Sequence, residues 1–282
     1  MQTQHGGSQM KIKILAVSAS IIILLSLGGC GFAEHNTAPK ETITERPSVR
    51  VTIPEGSTVY QTANILEEKG VCASSAFIAA VNSPPEGNSF AASIANAGER
   101  PYLLEGYVFP DTYDFYVGES AVSALGRFLD NMESKLTDAD YARAEKLGYS
   151  MDEILTIASI IQEESGFAAQ DAKVSSVLHN RLNSSSFSHL QFNVTFEYLD
   201  NSVEPYITGG RAKYNDLYNT YVRTGLPAGP ICNPGSSAIA AALYPADTDY
   251  YYFVTDKDRN YYYAATYAEH IANCKKAGVS TG

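Results

Sequence analysis

The sequence predicts an α+β fold, because strand patterns flank a long region of helical patterns. An alternating apolar run, Val49, Val51 and Ile53, indicates a short strand. The aromatic run YYYFVTD near residue 253 indicates a second strand region. Between them, several stretches place apolar residues three or four positions apart, which is typical of helices. The sequence has no internal repeat, so a solenoid or a propeller is not expected.

The N-terminal elements are predicted to form a small strand-helix-helix module. A Pro-Glu-Gly turn at residues 54–56 separates the strand from a helix that Gly70 ends. The two serines at residues 74–75 are expected to begin a second helix. Residues 83–99 contain two adjacent prolines and two glycines, and we interpret them as a loop that marks a boundary.

The C-terminal part is predicted to be mainly helical. Ser150 and Glu153 have the spacing of a capping box, so a helix is expected to begin at Ser150. Residues 183–235 are rich in Tyr, Asn, Gly and Pro, and we interpret most of them as loops. A helical region is expected at about residues 121–147, and further helices at about residues 171–182, 236–243 and 267–276.

The charge balance argues against a nucleic-acid partner. The chain has 31 Asp and Glu residues against 20 Lys and Arg residues, which gives a net charge of -11. Such a chain repels phosphate backbones, and no basic stripe is visible in the sequence. Tyrosine is frequent, at 20 residues, while tryptophan is absent. Tyrosine rings suit contacts with sugars, although packing in the core and at interfaces explains most of them.

The N-terminus carries an export signal. Lys11 and Lys13 precede an apolar run that ends in Leu-Gly-Gly-Cys at Cys30. The run is shorter than the roughly 20 residues of a spanning helix, so a lipidated Cys30 is preferred over an uncleaved membrane anchor. Residues 1–30 are therefore assigned to a signal peptide or anchor, and residues 31–48 to a polar linker. The rest of the chain is expected on the extracytoplasmic face of a bacterial cell membrane.

No metal or cofactor is expected. Cys72, Cys232 and Cys274 have no paired spacing, so free buried thiols are favoured over disulfides or a zinc site. The histidines lack the spacing of an H-E-x-x-H zinc site, and no G-x-S-x-G or phosphate-binding glycine motif occurs.

The stretch ASIIQEES, residues 158–165, places two adjacent glutamates at the end of a predicted helix. With about 100° per residue and Ile154 at zero, the apolar positions centre close to zero. Glu163 then falls at about 180°, where a solvated surface charge is expected, and Glu164 at about 280°, beside the apolar face. Helical geometry therefore favours Glu164 as the acid that faces the protein.

A carboxyl held against apolar neighbours has a raised pKa, as a general acid requires. Such a group could protonate a glycosidic oxygen. The alternative is structural, because Gly166 lies two residues later and Glu164 could lie at a frayed helix end that is open to water.

Five blocks in this order carry a resemblance: LLEGYVFPDTYDF, ASIIQEES, VLHNRLN with LQ, YNTYVRTGLPAGPICNPG, and ALYPADTDYYYFVTD with AEHIAN. They resemble the YceG-like endolytic murein transglycosylases, the MltG family, over about residues 49–273. The resemblance implies a LysM-like domain at residues 49–95 and a YceG-like catalytic domain at residues 96–280. It also implies a membrane-tethered enzyme that acts on peptidoglycan strands beside cell-wall synthases (penicillin-binding proteins).

The resemblance assigns roles to individual residues. Glu164 is the last acid of an E-K-E-type motif and would be catalytic, cutting the MurNAc-GlcNAc bond to leave a 1,6-anhydro-MurNAc end. The motifs place Gln191, Tyr218, Asn219 and Tyr221 in the cleft as substrate-binding residues, although the YNTY tyrosines could only pack their loop. Glu105 is expected to anchor its turn.

Two departures from the family pattern bear on activity. Gln162 replaces the first acid of the E-K-E motif, which removes a charge near Glu164. The usual LQSDPT reads LQFNVT, so Asn193, predicted to bind substrate, replaces an aspartate, and Val194 replaces a proline. They motivate an alternative function, a catalytically impaired protein that binds peptidoglycan as a scaffold.

Overall fold

The structure is a computed structural model, and it describes residues 46–280. The predicted export signal, Cys30 and nearly all of the predicted linker lie outside these residues. Within them, no helix combines the length and the apolar character that a membrane crossing requires.

The chain forms eleven α-helices and four strands within residues 46–280, together with one 3₁₀ turn and one π-helical turn. In chain order they are β1 (Ser48–Thr52), α1 (Val59–Glu68), α2 (Ser74–Asn82), α3 (Ser89–Ser93), a 3₁₀ turn (Ala97–Glu99), β2 (Thr112–Tyr116), α4 (Ala121–Lys135), α5 (Asp138–Leu147), α6 (Met151–Glu164), α7 (Ala168–Leu182), α8 (Val194–Tyr198), a π-helical turn (Leu199–Val203), α9 (Gly210–Tyr218), α10 (Ser236–Leu243), β3 (Tyr252–Thr255), β4 (Tyr261–Ala264) and α11 (Tyr267–Ala277). This mixture of helix and sheet agrees with the predicted α+β class.

The N-terminal module has the order strand, helix, helix, strand. β1 pairs antiparallel with β2, in a register that places Val51 opposite Tyr113. The sequence analysis assigned no strand here, although the exposed Thr112 and Asp114 alternate with the buried Tyr113 and Phe115. The partner strand lies beyond residue 95, and the division of the chain at that residue stays a prediction.

Helix α6 begins at the predicted capping box, in which the Ser150 hydroxyl accepts from Glu153 N and the Glu153 carboxylate accepts from Ser150 N. The prediction of one buried face is too narrow, since Thr156 and Ser159 are buried along with the apolar residues. The cause is packing, because α5, α7, α8 and α10 all contact α6. The helix therefore runs through the protein interior and delivers its last residue, Glu164, to the surface of a cleft.

The predictions for the two middle regions have different outcomes. The helical region predicted at residues 121–147 is confirmed and contains two helices, α4 and α5, because Thr137 caps the second and its Oγ1 accepts from Asp140 N. Residues 183–235 are more helical than predicted, since they contain α8, the π-helical turn and α9. These helices are short, so apolar spacing in the sequence indicates them poorly.

The helices and the strand predicted in the C-terminal part are present at the predicted residues. The helix at residues 236–243 and the final helix near residues 267–276 are both present, and the aromatic run contains β3. β3 pairs antiparallel with β4, with Phe253 opposite Tyr263. Buried apolar residues from Val51 to Leu243 form one connected core, so the N-terminal module and the helices around α6 pack together.

Candidate active site

Glu164 is the last residue of α6, and its side chain is half-buried at the edge of a cleft of about 850 Å³. Within residues 46–280 the carboxyl group has no hydrogen-bond partner, while the backbone oxygen accepts from the Tyr261 hydroxyl at 3.4 Å. The following turn is fixed, because the Ser165 hydroxyl bonds to the Phe167 carbonyl and the Asp171 carboxylate. The helix end is therefore held in place, and the carboxyl group is open to the cleft. The cleft is lined by Glu164, Arg181, Gln191, Phe192, Asn193, Val194, Glu197, Tyr221, Tyr252, Phe253, Val254, Tyr267, His270, Cys274, Val279 and Ser280.

Burial raises the pKa of the Glu164 carboxyl to about 7, because the anion loses solvating water. The guanidinium of Arg181 opposes this effect, and the carboxylates of Glu197 and Glu163 add to it. A carboxyl with a pKa near neutrality can give up a proton and take one back at the same pH. This group can therefore serve as both general acid and general base.

Arg181 is a cleft residue that the sequence did not single out. It lies on α7 and is buried, and it donates to the carbonyl of Tyr251 at 2.7 Å and to that of Leu190 at 2.6 Å. Burial lowers the pKa of this arginine, and the rings of Phe192 and Tyr252 lie within cation–π distance. Arg181 thus ties the wall that carries Gln191 to the wall that carries β3. The block VLHNRLN contains it, but the motif alone gave it no role.

Gln191 lies in the cleft, as the resemblance predicted. Its backbone is left-handed, with a φ of 58°, which is unusual for a residue other than glycine. The hydrogen bond from Gln191 N to the Thr220 carbonyl at 3.0 Å and the bond from Phe192 N to the Thr220 hydroxyl at 2.9 Å hold this conformation. Strained backbone of this kind is concentrated at functional sites.

Asn193 and Tyr221 also line the cleft, and they contact each other. The Tyr221 hydroxyl donates to Asn193 Oδ1 at 2.7 Å. An aspartate at position 193 would accept the same hydrogen bond, so asparagine preserves this contact. Val194 is the first residue of α8, a position that proline favours but that other residues also occupy. The local structure therefore accommodates both departures.

Tyr218 and Asn219 do not line the cleft of this structure, and their predicted role in substrate binding stays a prediction. Tyr218 is fully buried, and its ring packs against Tyr198 with centroids 5.4 Å apart. Burial raises the pKa of Tyr218 well above its usual value. Asn219 accepts from the backbone N of Tyr221 at 3.0 Å. Tyr218 packs in the core beneath this loop, and Asn219 holds the backbone of Tyr221. For Tyr218, this arrangement corresponds to the alternative in which the tyrosine packs its loop.

The two residues before Glu164 have separate roles. Gln162 Oε1 accepts from Gly235 N at 3.0 Å at the start of α10, so the amide supplies the acceptor that a glutamate would supply. Glu163 is exposed as expected, but its carboxylate lies against Gly56 and Cys232. Partial burial raises the pKa of Glu163 as well. Neither residue lines the cleft.

Glu105 lies away from the cleft and is fully buried. It accepts hydrogen bonds from Val59 N at 2.9 Å, the Tyr198 hydroxyl at 3.1 Å and Asn233 Nδ2 at 3.2 Å. Burial raises the pKa of Glu105 to about 8, against the effect of these hydrogen bonds. The expected anchoring role is therefore broader than one turn, because Glu105 joins the start of α1 to two distant segments.

The far wall of the cleft comes from β3 and α11, which lie in a quoted motif block but to which the sequence analysis gave no role in the site. Tyr252 stacks on His270 with centroids 5.1 Å apart, and the ring of Tyr267 is exposed. Cys274 lies 3.6 Å from His270 Nε2. All three cysteines of the described part are free thiols, and residues 46–280 contain no cluster of three His, Cys, Asp or Glu side chains that could hold a metal ion.

Comparisons with known proteins agree with the motifs. A model of the YceG-like family matches residues 34–276. The chain is similar to an endolytic murein transglycosylase of Bacillus subtilis (strain 168), with 32% identity over 59% of this chain and 46% of the relative. It is similar to an endolytic murein transglycosylase of Streptococcus pneumoniae (serotype 2, strain D39), with 29% identity over 79% of this chain and 43% of the relative.

The chain thus spans less than half the length of these two relatives. Among solved structures, it is similar to a yceG-like protein of Listeria monocytogenes, with a TM-score of 0.64 and 29% identity. That match covers 79% of this chain and 75% of the Listeria chain.

Proposed function

Because the chain belongs to the YceG-like family, as its motifs predicted, we propose that it is a lytic transglycosylase that cuts peptidoglycan glycan strands with Glu164. The observation that carries the proposal is the state of this carboxyl group. It is half-buried, it opens into a cleft, it has no hydrogen-bond partner in the described part of the chain, and its pKa is about 7.

One carboxyl group completes the reaction. The Glu164 carboxyl gives its proton to the oxygen between MurNAc and GlcNAc, the bond from that oxygen to C1 of MurNAc breaks, and GlcNAc leaves with a free hydroxyl. The Glu164 carboxylate then takes the proton of the MurNAc C6 hydroxyl, whose oxygen bonds to C1 and closes the 1,6-anhydro ring. Glu164 ends protonated and no water is consumed, whereas hydrolysis normally needs a second carboxylate to act on water.

Arg181 supports the anionic state of Glu164. When the proton leaves, a carboxylate stands in a partly dehydrated site, and the nearby guanidinium stabilises it. The hydrogen bonds of Arg181 to two carbonyls keep this charge fixed, so the stabilisation needs no rearrangement during the reaction.

The glycan strand binds between two unlike walls. Gln191, Asn193 and Tyr221 offer amide and hydroxyl groups on one wall, and the rings of Tyr252 and Tyr267 offer stacking surfaces on the other. Sugar rings have polar edges and apolar faces, which such a pairing of groups satisfies. The relatives are named endolytic, and internal cleavage of nascent strands is part of the proposal.

The remaining parts of the proposal concern location. We assign the chain to the extracytoplasmic face of the cell membrane, held by a lipidated Cys30 or an N-terminal anchor. Residues 49–95 are assigned as the LysM-like domain, and cell-wall synthases as the partners. Mass spectrometry of membrane-extracted protein distinguishes a diacylglyceryl cysteine from an intact leader.

The test is to incubate the purified chain with uncrosslinked glycan strands in H₂¹⁸O and to identify the new ends by mass spectrometry. The proposal predicts 1,6-anhydro-MurNAc ends without ¹⁸O. Reducing ends that contain ¹⁸O would identify a hydrolase instead. Binding of strands without new ends would favour the alternative function, a catalytically impaired scaffold.

A further inference from the structure

Glu197 is a second carboxylate in the cleft that the mechanism above does not use. Among the described residues that line the cleft, Glu164 and Glu197 are the two acids. Glu197 is exposed, and within residues 46–280 its carboxylate has no hydrogen bond or ion pair. No cation therefore pairs with this carboxylate in the described part of the chain.

The position of Glu197 follows from α8. This helix contacts α6, and Glu197 lies one helical turn after Asn193, on the same side of the helix. Where the family pattern has an aspartate at position 193, this chain has asparagine there and an acid four residues later. Asp200, three residues further on, is different, because it pairs with Arg211 at 2.7 Å and lies outside the cleft.

We propose that Glu197 is a positioning residue for the transglycosylase reaction, whose negative charge keeps the proton on Glu164 until the glycosidic oxygen receives it. This inference rests on the proposed function, because it assigns a role in that reaction. Glu197 acts through Glu164 and need not touch the substrate.

Several charged groups act on Glu164 from the surrounding elements. Arg181 on α7 favours the anion, and Glu163 on α6 favours the protonated form. His270 on α11 lines the same cleft. The carboxylate of Glu197 raises the pKa of Glu164 and also that of Glu163. Its charge therefore acts on both acids at the end of α6.

Tyr221 lies on one wall of the cleft and Tyr252 on the other, and the Tyr261 hydroxyl donates to the backbone oxygen of Glu164. Glu197 and Arg181 have opposite effects on the pKa of Glu164, since the carboxylate raises it and the guanidinium lowers it. Without the charge of Glu197, the effect of Arg181 is larger relative to the total, and Glu164 loses its proton at lower pH.

The test compares Glu197→Gln with the wild-type chain across pH 5 to 9, with the rate of anhydro-end formation as one readout. We expect the alkaline limb of kcat/KM to move down by about half a pH unit, which lowers the rate there about threefold. At acidic pH the two proteins should have equal rates. A loss that is the same at every pH, or a change in KM alone, would overturn the proposal, because it would indicate substrate contact instead.

A second readout does not depend on activity. Titration of ¹³C-labelled glutamate carboxyls by NMR, with Glu164 assigned through Glu164→Gln, should show that Glu164 loses its proton at lower pH in Glu197→Gln. An unchanged Glu164 titration contradicts this inference even if the wild type is active. A wild type that yields no anhydro ends contradicts the proposed function, while the titration still decides the role of Glu197.

Two control variants sharpen the result. Asp200→Asn removes a charge of the same sign that is already paired outside the cleft, and it should leave both the pH profile and the titration unchanged. Asn193→Asp in the Glu197→Gln background returns an acid to the cleft one helical turn away, and it should restore most of the alkaline limb. Failure of this rescue, with the titration also unchanged, would count against an electrostatic role.

Discussion

Glu105 and Glu164 are both glutamates whose pKa burial raises, yet the regions around them differ. Glu105 is sealed from solvent and accepts hydrogen bonds from three groups that belong to three separate segments. Glu164 is half-buried, faces a cleft and has no hydrogen-bond partner for its carboxyl group within residues 46–280. The raised pKa alone would not distinguish them, although the value of about 8 for Glu105 is the higher one.

The difference shows what separates a structural carboxyl from a reactive one. The oxygens of Glu105 are occupied by the protein, so a substrate cannot reach them and their removal would leave buried donors unsatisfied. The oxygens of Glu164 are available to a glycosidic oxygen or a sugar hydroxyl. Access and hydrogen-bond partners therefore identify the candidate catalyst, and the pKa indicates only that it can hold a proton.

The largest expected contrast is in stability. Glu105→Ala leaves the Val59 amide, the Asn233 amide and the Tyr198 hydroxyl without their acceptor, and it should lower the free energy of unfolding by about 3 kcal/mol. Glu164→Ala removes no hydrogen bond of the described part and should change stability by less than about 0.5 kcal/mol. Urea denaturation followed by circular dichroism measures both. Equal losses would contradict the distinction between the two regions.

The pH dependence of stability sharpens the same contrast. The folded chain holds the Glu105 proton to about pH 8, whereas an unfolded glutamate releases it near its usual pKa of 4.5. The folded state therefore binds more protons between these values, so this contribution to stability is complete below pH 4.5 and is lost as pH rises through 8. The slope from this group is at most about 1.4 kcal/mol per pH unit.

Glu105→Gln should flatten that slope, because the amide does not titrate. The measurement is the free energy of unfolding at several pH values between 5 and 8 for the two proteins. Parallel curves for wild type and Glu105→Gln would show that Glu105 does not hold an elevated pKa in the folded chain.

A substitution at Gln191 tests whether a strained backbone conformation in the cleft is retained because the side chain is needed for activity. Gln191→Gly should relieve the left-handed conformation at φ 58° and raise stability by about 1 kcal/mol. The same change removes the Gln191 side chain from the cleft wall and with it one expected contact to the substrate. The loss of about 1.4 kcal/mol from that contact should lower the rate about tenfold. Thermal unfolding and the rate of anhydro-end formation check the two effects. If Gln191→Gly is less stable than the wild type, the claim that the backbone of Gln191 is strained is contradicted.

A smaller effect is expected at the Tyr221-Asn193 contact. Tyr221→Phe removes the hydrogen bond to Asn193 but keeps the ring, and it should lower activity several-fold, in line with about 1 kcal/mol for one exposed hydrogen bond. Asn193→Asp keeps an acceptor for the tyrosine and serves as the matched variant, with activity close to that of the wild type at pH 7. If Asn193→Asp instead raises activity strongly, the charge at this position matters more than the contact.

The smallest effect is expected at Gln162. Gln162→Glu restores the first acid of the family motif but keeps an acceptor for Gly235 N, so activity should stay within about twofold of the wild type. The anhydro-end assay at pH 7 measures it. A large gain would mean that the charge of the first acid contributes to the chemistry, which the geometry of Gln162 does not indicate.

The sequence predicted the elements that local chemistry specifies. The start of α6 followed from the side-chain spacing of Ser150 and Glu153, and α10 and α11 lie where predicted. Short helices such as α8 depend on tertiary contacts more than on periodicity, so they were missed. Strand β2 was missed for a similar reason, since pairing with β1 is what holds it.

The candidate site was predicted in part. Helical periodicity separated Glu164 from Glu163, and the motifs indicated Gln191, Asn193 and Tyr221, all of which line the cleft. Tyr218 shares a motif with Tyr221, but its position at the end of α9 turns the ring into the core. A motif shows that residues belong to one loop, and only packing decides which of them face the substrate.

Other cleft residues could not be found from local sequence. Arg181, Glu197 and His270 lie on three different helices, and folding alone brings them to Glu164. Arg181 and His270 lie inside motif blocks and Glu197 lies just after one, so their common signal is a charged or titratable side chain in or beside a motif block. That signal is too frequent in a chain with 51 charged Asp, Glu, Lys and Arg residues, counted as 31 acidic and 20 basic, to single them out.

The central claim is that Glu164, and not its neighbour Glu163, is the catalytic acid. The most direct measurement is the initial rate of 1,6-anhydro-MurNAc end formation at pH 7 for wild type, Glu164→Gln and the matched variant Glu163→Gln, each first shown to be folded by circular dichroism. We predict a loss of about 10²- to 10⁴-fold for Glu164→Gln and less than about tenfold for Glu163→Gln. Equal rates for Glu164→Gln and the wild type, or the larger loss in Glu163→Gln, would contradict the claim.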